Sequence, residues 1–340
     1  MKRLQLIVTG LLLLLSSTIM AQNKKSFTLD DLMWGGSNYW NLQPKNISTA
    51  WWGDCLMQTE ADNVRILYNE KGKAAKGEVL FTTENINSQL NESKQGKVRD
   101  LRSARFPYPN RTEVLLETQK ASLIYDWKSG QVIWIQPRIS GLQANSFNPT
   151  SKARAFVKDW NLYVTTADGI THQVTTDGSR ELQYGMSVHR DEFGINKGTF
   201  WSPKGNLLAF YRMDQSMVTD FPLVDISHRV AQLAPEKYPM AGMTSHKVTV
   251  GIFNPATEKT TYLQAGDPTD RYFTNIAWSP DEKTLYVIEL PRTQDKAELV
   301  AYDAATGQRK EVLYTETNPR YVEPMNPIVF LPWDDTKFIY

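Results

Sequence analysis

A chain of 340 residues with 41% hydrophobic and 22% charged residues carries enough apolar side chains for one large β architecture or two ordinary domains, and its composition excludes global disorder. The net charge of +1 leaves no electrostatic case for nucleic acid or an anionic membrane as partner. Cys55 is the only cysteine, which excludes an intrachain disulfide and a cysteine-built metal site.

At the N-terminus, Lys2 and Arg3 precede a mostly apolar run from Leu6 to Leu15, and Ser16, Ser17 and Thr18 lead to Ala21 and the polar Gln22-Asn23-Lys24-Lys25. This pattern predicts a secretory signal peptide over 1–21, cleaved after Ala21. The run is short for a bilayer span, and no cysteine stands directly after it to carry a lipid anchor. The mature protein is therefore expected to be exported, to the periplasm, the cell surface or the medium. A segment over 22–45 follows. Within it Thr28, with Asp31 three residues later, predicts a short capped helix.

From residue 46 onward short β segments alternate with turn residues. One element recurs: Trp201-Ser202-Pro203-Lys204-Gly205 leads into Leu207 to Tyr211, and Trp278-Ser279-Pro280-Asp281-Glu282 leads into Thr284 to Ile288. Phe147-Asn148-Pro149 and Leu331-Pro332-Trp333-Asp334-Asp335 precede similar runs. In each the aromatic packs, Pro fixes φ, and Asp, Gly or Lys turns the chain. A second element resembles a hairpin turn: Ile124 to Gly130, Ala301 to Gly307 and, more loosely, Phe253 to Thr257. Alternating units of this kind predict the blades of a β-propeller. The longer gap between Trp201 and Trp278 places an insertion at 213–246, off one blade. About five blades are counted over 46–340, the last incomplete because Phe338-Ile339-Tyr340 reads as a strand without a partner after it. The expected fold class is all-β, an incomplete β-propeller with a short N-terminal helix, and the chain reads as a fragment.

The segment Val188-His189-Arg190-Asp191-Glu192-Phe193-Gly194-Ile195 puts two adjacent acids just before a blade. On spacing alone these form a solvated acidic turn or helix cap. His172, His189, His228 and His246 lack ligand spacing, and each reads as a surface or internally satisfied histidine, so no metal and no cofactor is expected. No Gly-x-Ser-x-Gly elbow occurs, so no catalytic residue is assigned in this chain.

Arg-Asp-Glu-Phe-Gly-Ile at 190–195, Lys-Gly-Thr-Phe-Trp-Ser-Pro-Lys-Gly at 197–205 and Leu-Ala-Phe-Tyr-Arg-Met-Asp-Gln-Ser-Met-Val at 208–218 resemble the dipeptidyl peptidase IV family of the prolyl oligopeptidase group, and above all its bacterial prolyl tripeptidyl peptidases. Tyr238 to Gly242, Leu285 to Val287 with Arg292 to Gln294, and Tyr321 to Pro324 extend the likeness, which runs from about residue 26 to 340. The resemblance implies an eight-bladed propeller capping an α/β-hydrolase domain that lies outside this chain. It implies peptide substrates with a free N-terminus and proline, and possible homodimers. It places Glu192 on a short helical projection that holds the substrate's amino group, with Asp191 secondary, where dipeptidyl peptidases carry a second glutamate. That departure leans towards tripeptide release. The stretch Leu115 to Ser122 agrees, being short and without the arginine that the dipeptidyl enzymes carry in an early hairpin. The competing reading is a non-catalytic envelope propeller that scaffolds other proteins, since propellers host many functions. A sialidase-type enzyme would need aspartate-box turns, which are not found.

Overall fold

The computed structural model describes residues 26–44, 46–75, 77–139 and 141–340. The expected signal peptide lies outside the described residues. The chain divides into two compact units, Met1–Thr49 and Ala50–Tyr340. In the first, two short helices are described, α1 (Leu29–Leu32) and α2 (Tyr39–Leu42). The predicted cap is present: the Asp31 carboxylate accepts from both the backbone N–H (2.7 Å) and the hydroxyl (2.9 Å) of Thr28.

The second unit is a succession of antiparallel sheets, each built from strands close together in sequence. The first holds β1 (Thr49–Trp52), β2 (Cys55–Thr59), β3 (Asn63–Tyr68) and β4 (Val79–Thr82). Short helices α3 (Thr83–Asn87) and α4 (Glu92–Gln95) lead to a three-stranded sheet of β5 (Glu113–Glu117), β6 (Ala121–Asp126) and β7 (Gln131–Pro137). The third is β8 (Gln143–Asn148), β9 (Ala153–Lys158), β10 (Asn161–Thr165) and β11 (Thr171–Gln173). The fourth combines β12 (Leu182–Tyr184), β13 (Thr199–Trp201), β14 (Leu208–Asp214), β19 (Lys247–Asn254) and β20 (Lys259–Tyr262). The fifth is β21 (Arg271–Trp278), β22 (Thr284–Pro291), β23 (Lys296–Asp303) and β24 (Arg309–Thr317), and the hairpin β25 (Val329–Leu331) and β26 (Asp334–Ile339) follows. Strands inside the sheets, such as β6 and β9, are buried on both faces for nearly their whole length, whereas β24 is exposed almost throughout. Burial on both faces is what stacked sheets demand, and it explains the unbroken apolar runs that would otherwise alternate.

The repeats read from the sequence are geometrically equivalent. The Ser202 N–H donates to the Leu207 carbonyl (2.9 Å) while the Leu207 N–H donates to the Ser202 hydroxyl (2.9 Å). Ser279 and Thr284 exchange the same two bonds at 2.9 and 3.0 Å. The fifth position of each turn is left-handed, at Gly205 (φ +77) and Glu282 (φ +65). Each tryptophan reaches to the first-strand region of the sheet before it: the Trp201 indole N–H donates to the Ser146 carbonyl (3.3 Å), and that of Trp278 to the Phe200 carbonyl (2.9 Å). Trp278 is buried and Trp201 half-buried. Trp333, in the fourth copy, is 80% exposed and does not share this environment, because its turn has shifted the aromatic two residues along. In the second repeat, Oδ1 of Asp126, Asp303 and Asn254 each accepts from the N–H two residues on.

The predicted insertion is a hairpin arm between β14 and β19. Its paired segments are β15 (Asp220–Phe221) with β18 (Glu236–Lys237), and β16 (Val224–Asp225) with β17 (Gln232–Leu233). Met213 and Asp214 belong to β14 and not to the arm, because their backbones pair with Val248 and Lys247.

The fourth sheet contains the irregularity that matters most. Both β12 and β13 pair with the same edge of β14: Tyr184 lies opposite Arg212, and Thr199 opposite Phe210. Tyr211, between those two partners, closes the gap with both of its backbone groups. Its carbonyl accepts from the Gly185 N–H (2.8 Å) and its N–H donates to the Gly198 carbonyl (3.0 Å). One edge strand is thus split, and residues 186–197 leave the sheet and return to the same place. The neck admits only glycine. A Cβ at Gly198 meets the Met186 carbonyl oxygen at 2.1 Å, and Gly185 has φ +65 with Leu162 Cδ1 3.0 Å from its would-be Cβ. Gly198→Ala is expected to lower the free energy of unfolding by about 1–3 kcal/mol or more, since backbone must move. Gly242→Ala, where φ is +75 but nothing lies within 4 Å, is expected to cost only the left-handed penalty of about 1–2 kcal/mol. Urea denaturation of the two variants checks the difference, and an equal cost would mean that the neck is not tight.

Candidate functional site

The excursion carries the acidic pair. The short helical projection expected there is instead a left-handed turn over His189–Gly194. Its hydrogen bonds are helix-like, from the Asp191 N–H to the Val188 carbonyl (3.1 Å) and from the Ile195 N–H to the Glu192 carbonyl (3.1 Å). Its backbone is left-handed at His189 (φ 55), Arg190 (φ 56), Asp191 (φ 63) and Phe193 (φ 57). Non-glycine residues enter this region at a cost of about 1–2 kcal/mol each, so the turn persists only where its surroundings hold it.

Those surroundings are anchors at both ends. Phe193 is buried with Ile288, Leu290, Leu299 and Val322 and packs on Tyr272 with ring centroids 5.1 Å apart. Gly194 follows, because a Cβ there would lie 2.4 Å from the Met325 carbonyl oxygen. At the other end His189 is buried. Its Nε2 accepts from the Phe273 N–H (3.2 Å), and its Nδ1 lies 3.0 Å from Nε2 of His246, which is also buried. The neutral pair satisfies all of this in one way: His189 is protonated on Nδ1 and donates to His246, whose own proton sits on Nδ1. Protonating either ring would set two donors face to face.

Between the anchors three charged side chains are exposed. Arg190 leans towards the arm, 3.5 Å from the Glu236 carboxylate and with its guanidinium 5.0 Å from the Tyr238 ring centroid. Asp191 accepts from the Ser187 hydroxyl and has no ion-pair partner among the described residues. It lines a cleft of about 580 Å³ between the turn and the arm, with Ser187, Arg190, Glu236 and His246 also on its walls. Glu192 is exposed, and its carboxylate has neither an ion pair nor a hydrogen bond among the described residues; it does not line that cleft. Lys237 and Arg180, on the cleft walls, are already committed to Asp220 at 3.5 and 2.6 Å. Two carboxylates without a counter-ion, on a turn fixed at both ends, are suited to hold a cation.

The hairpin expected to be short is short: β5 ends at Glu117 and β6 begins at Ala121, closed by the Thr118 N–H donating to the Ala121 carbonyl (2.8 Å). No group of histidine, cysteine and acids able to hold a metal occurs among the described residues. Sequence reasoning missed the pairing of His189 with His246 and the contact of Arg190 with the arm.

Burial pushes both histidines below the ordinary imidazole range, and Arg190 and Arg292 add to the effect at His246, which falls to about 4. The unfolded chain therefore binds more protons below pH 6.5, and stability rises with pH up to that point and is level above it. We expect urea midpoints of the full chain to hold steady above pH 7 and then fall, with His246 accounting for about 3 kcal/mol between pH 7 and 4. His246→Gln, which keeps a hydrogen-bond partner for His189, is expected to flatten that slope. An unchanged slope would remove the pair from the account.

Residues 106–340 match the family described as dipeptidyl peptidase IV (DPP IV) N-terminal region. The probable dipeptidyl-aminopeptidase B of Phaeosphaeria nodorum is 29% identical over 233 residues, covering 62% of this chain and 25% of that protein. That of Grosmannia clavigera is 30% identical over 212 residues, covering 52% and 22%. The chain thus spans about a quarter of the length of these curated relatives. Among solved structures, a Bacteroides ovatus protein assigned as a dipeptidyl aminopeptidase IV is 48% identical with a TM-score of 0.81, over 93% of this chain and 43% of that one. Porphyromonas gingivalis dipeptidyl peptidase 4 shares the fold at 22% identity and a TM-score of 0.67, over 91% and 45%. With its propeller-type succession of antiparallel sheets and a family match over more than half its length, the chain belongs to the dipeptidyl peptidase IV N-terminal region family.

Proposed function

We propose that this domain is the substrate-gating, N-terminus-binding propeller of an exported serine-type exopeptidase that releases di- or tripeptides after proline, working with an α/β-hydrolase domain that carries the catalytic triad. The observation that carries the reading is the exposed, unpaired Glu192 carboxylate, with Asp191 beside it, on a turn that is anchored at His189 and Phe193. A peptide N-terminus has a pKa of about 7.7–8.0 and is largely an ammonium at neutral pH. A fixed carboxylate binds it through charge-assisted hydrogen bonds, and the distance from that carboxylate to the nucleophile sets how many residues are removed. The tight Glu117–Ala121 hairpin and Asp191 in place of a second glutamate favour tripeptides. Export is supported by the basic and apolar N-terminus ending at Ala21.

We propose a second copy of this chain, which the family resemblance allows, as the partner of the arm. Ile226 is 84% exposed, Val230 78% and Leu233 67%, and these lie on a paired hairpin that stands off the sheet. Sedimentation of the enzyme carrying this domain is expected to give a dimer, and Ile226→Asp with Val230→Asp a monomer; a dimer that persists would assign the arm to another partner, as a scaffold would.

In the same enzyme, Glu192→Gln is expected to lower kcat/KM for peptides with a free N-terminus by about thirty-fold to several thousand-fold, the equivalent of about 2–5 kcal/mol. Asp191→Asn is expected to cost less. N-terminally blocked peptides, poor substrates already, are expected to lose little more in the variant. If free and blocked peptides keep their wild-type ratio in Glu192→Gln, the pair is only a solvated turn.

A further inference from the structure

The two histidines that anchor the turn form a hydrogen-bond relay with a fixed direction. The Phe273 N–H donates to Nε2 of His189, so the His189 proton sits on Nδ1 and is given to Nε2 of His246 (3.0 Å). Neutral His246 then carries its own proton on Nδ1, and that nitrogen can donate but not accept. It has no hydrogen-bond partner among the described residues, yet it is not one of their fully enclosed orphan polar atoms, so it keeps accessible surface. His246 is 5% exposed, and the cavity it lines is the cleft of about 580 Å³ between turn and arm. The relay thus ends in a buried side chain with an unused N–H at the cleft wall.

The charges of the same walls decide what that N–H can receive. Arg190 is paired with Glu236 (3.5 Å), and Arg180 and Lys237 with Asp220 (2.6 and 3.5 Å). Asp191 is the charged wall residue left without an opposite partner among the described residues; the Ser187 hydroxyl occupies its Oδ1, and its Oδ2 has no partner there. An anionic acceptor would meet this uncompensated carboxylate. A cation would satisfy Asp191 but leave the His246 donor unpaired. A carboxamide supplies both halves, an oxygen that accepts and an NH2 that donates.

We propose that the cleft receives the side chain of the substrate's N-terminal residue, and that His246 makes it selective for a carboxamide, asparagine or glutamine. The amide oxygen accepts from the His246 Nδ1–H and the amide NH2 donates to Asp191. The inference rests on the reading that Glu192 holds the N-terminus. With the ammonium on Glu192, the peptide backbone has to leave towards the catalytic domain. Both walls of the cleft belong to this chain, so the side chain is the part of the first residue left to enter it.

The test is a substrate panel on the enzyme carrying this domain. Chromogenic Xaa-Pro and Xaa-Ala-Pro substrates are compared with asparagine, leucine and aspartate as Xaa, which have nearly the same shape, and with glutamine, methionine and glutamate. At least one carboxamide is expected to exceed both its apolar and its acidic counterpart by about tenfold or more in kcat/KM, because a site built around a donor rejects a side chain that leaves the donor unpaired. His246→Phe is expected to bring the carboxamide-to-apolar ratio to within about threefold of one. A merely structural role would lower all substrates alike and leave that ratio unchanged. If His246→Phe does not fold, the wild-type panel decides by itself. N-terminally blocked copies of the same peptides separate the two readings. If they are cleaved as well as the free ones, the N-terminus reading fails and this inference with it. If free peptides are preferred but neither carboxamide exceeds its counterparts, or the advantage persists in His246→Phe, this inference alone is overturned.

Discussion

The geometry of the site depends on the two backbone hydrogen bonds of Tyr211. An antiparallel edge strand normally spends one residue opposite each partner. Here Gly185 and Gly198 both lie opposite Tyr211, one donating to its carbonyl and the other accepting from its N–H. The sheet loses no ladder bond at that point, and the chain between the two glycines is free to leave the sheet and form a binding element. A loop inserted at a sheet corner would have to be held by its own contacts. This one starts and ends on a residue in the middle of a buried strand, which is why it can carry exposed acids on a left-handed path without fraying.

The cost of that path falls on side chains that take no part in chemistry. Phe193 buries its ring, and His189 exchanges hydrogen bonds with Phe273 and His246, so that Arg190, Asp191 and Glu192 are presented outwards from two fixed points. The positive groups nearby are spent elsewhere, Arg190 on Glu236 and Arg180 and Lys237 on Asp220. What remains is negative potential at the turn, the right sign for a substrate ammonium. Arg190 also reaches Glu236 and Tyr238, so the turn and the arm, the two features that distinguish the fourth sheet, are in contact.

Much of this was legible in the sequence where the signal is local. The cap at Thr28 and Asp31, the paired turns at Trp201 and Trp278, and the aspartate and asparagine turns at 126, 254 and 303 all follow from residues within a few positions of each other, and the arm follows from the long gap between two of those turns. The acids at 191 and 192 were found, but the form of their turn was not. Left-handed φ at four non-glycine residues is imposed by tertiary anchors, and glycines at 185, 194 and 198 mark tight places without saying which way the chain turns. His189 and His246 are far apart in sequence and meet only because β19 is laid beside β14.

The central claim is that Glu192 is the group that receives the substrate's N-terminus. A crystal structure of the enzyme carrying this domain, its nucleophile replaced by alanine and a proline-containing peptide bound, tests it directly. The account predicts the peptide's terminal nitrogen within about 3 Å of a Glu192 carboxylate oxygen, with the left-handed turn over His189–Gly194 unchanged. A terminal nitrogen held by Asp191 alone, or lying away from the turn altogether, would contradict it.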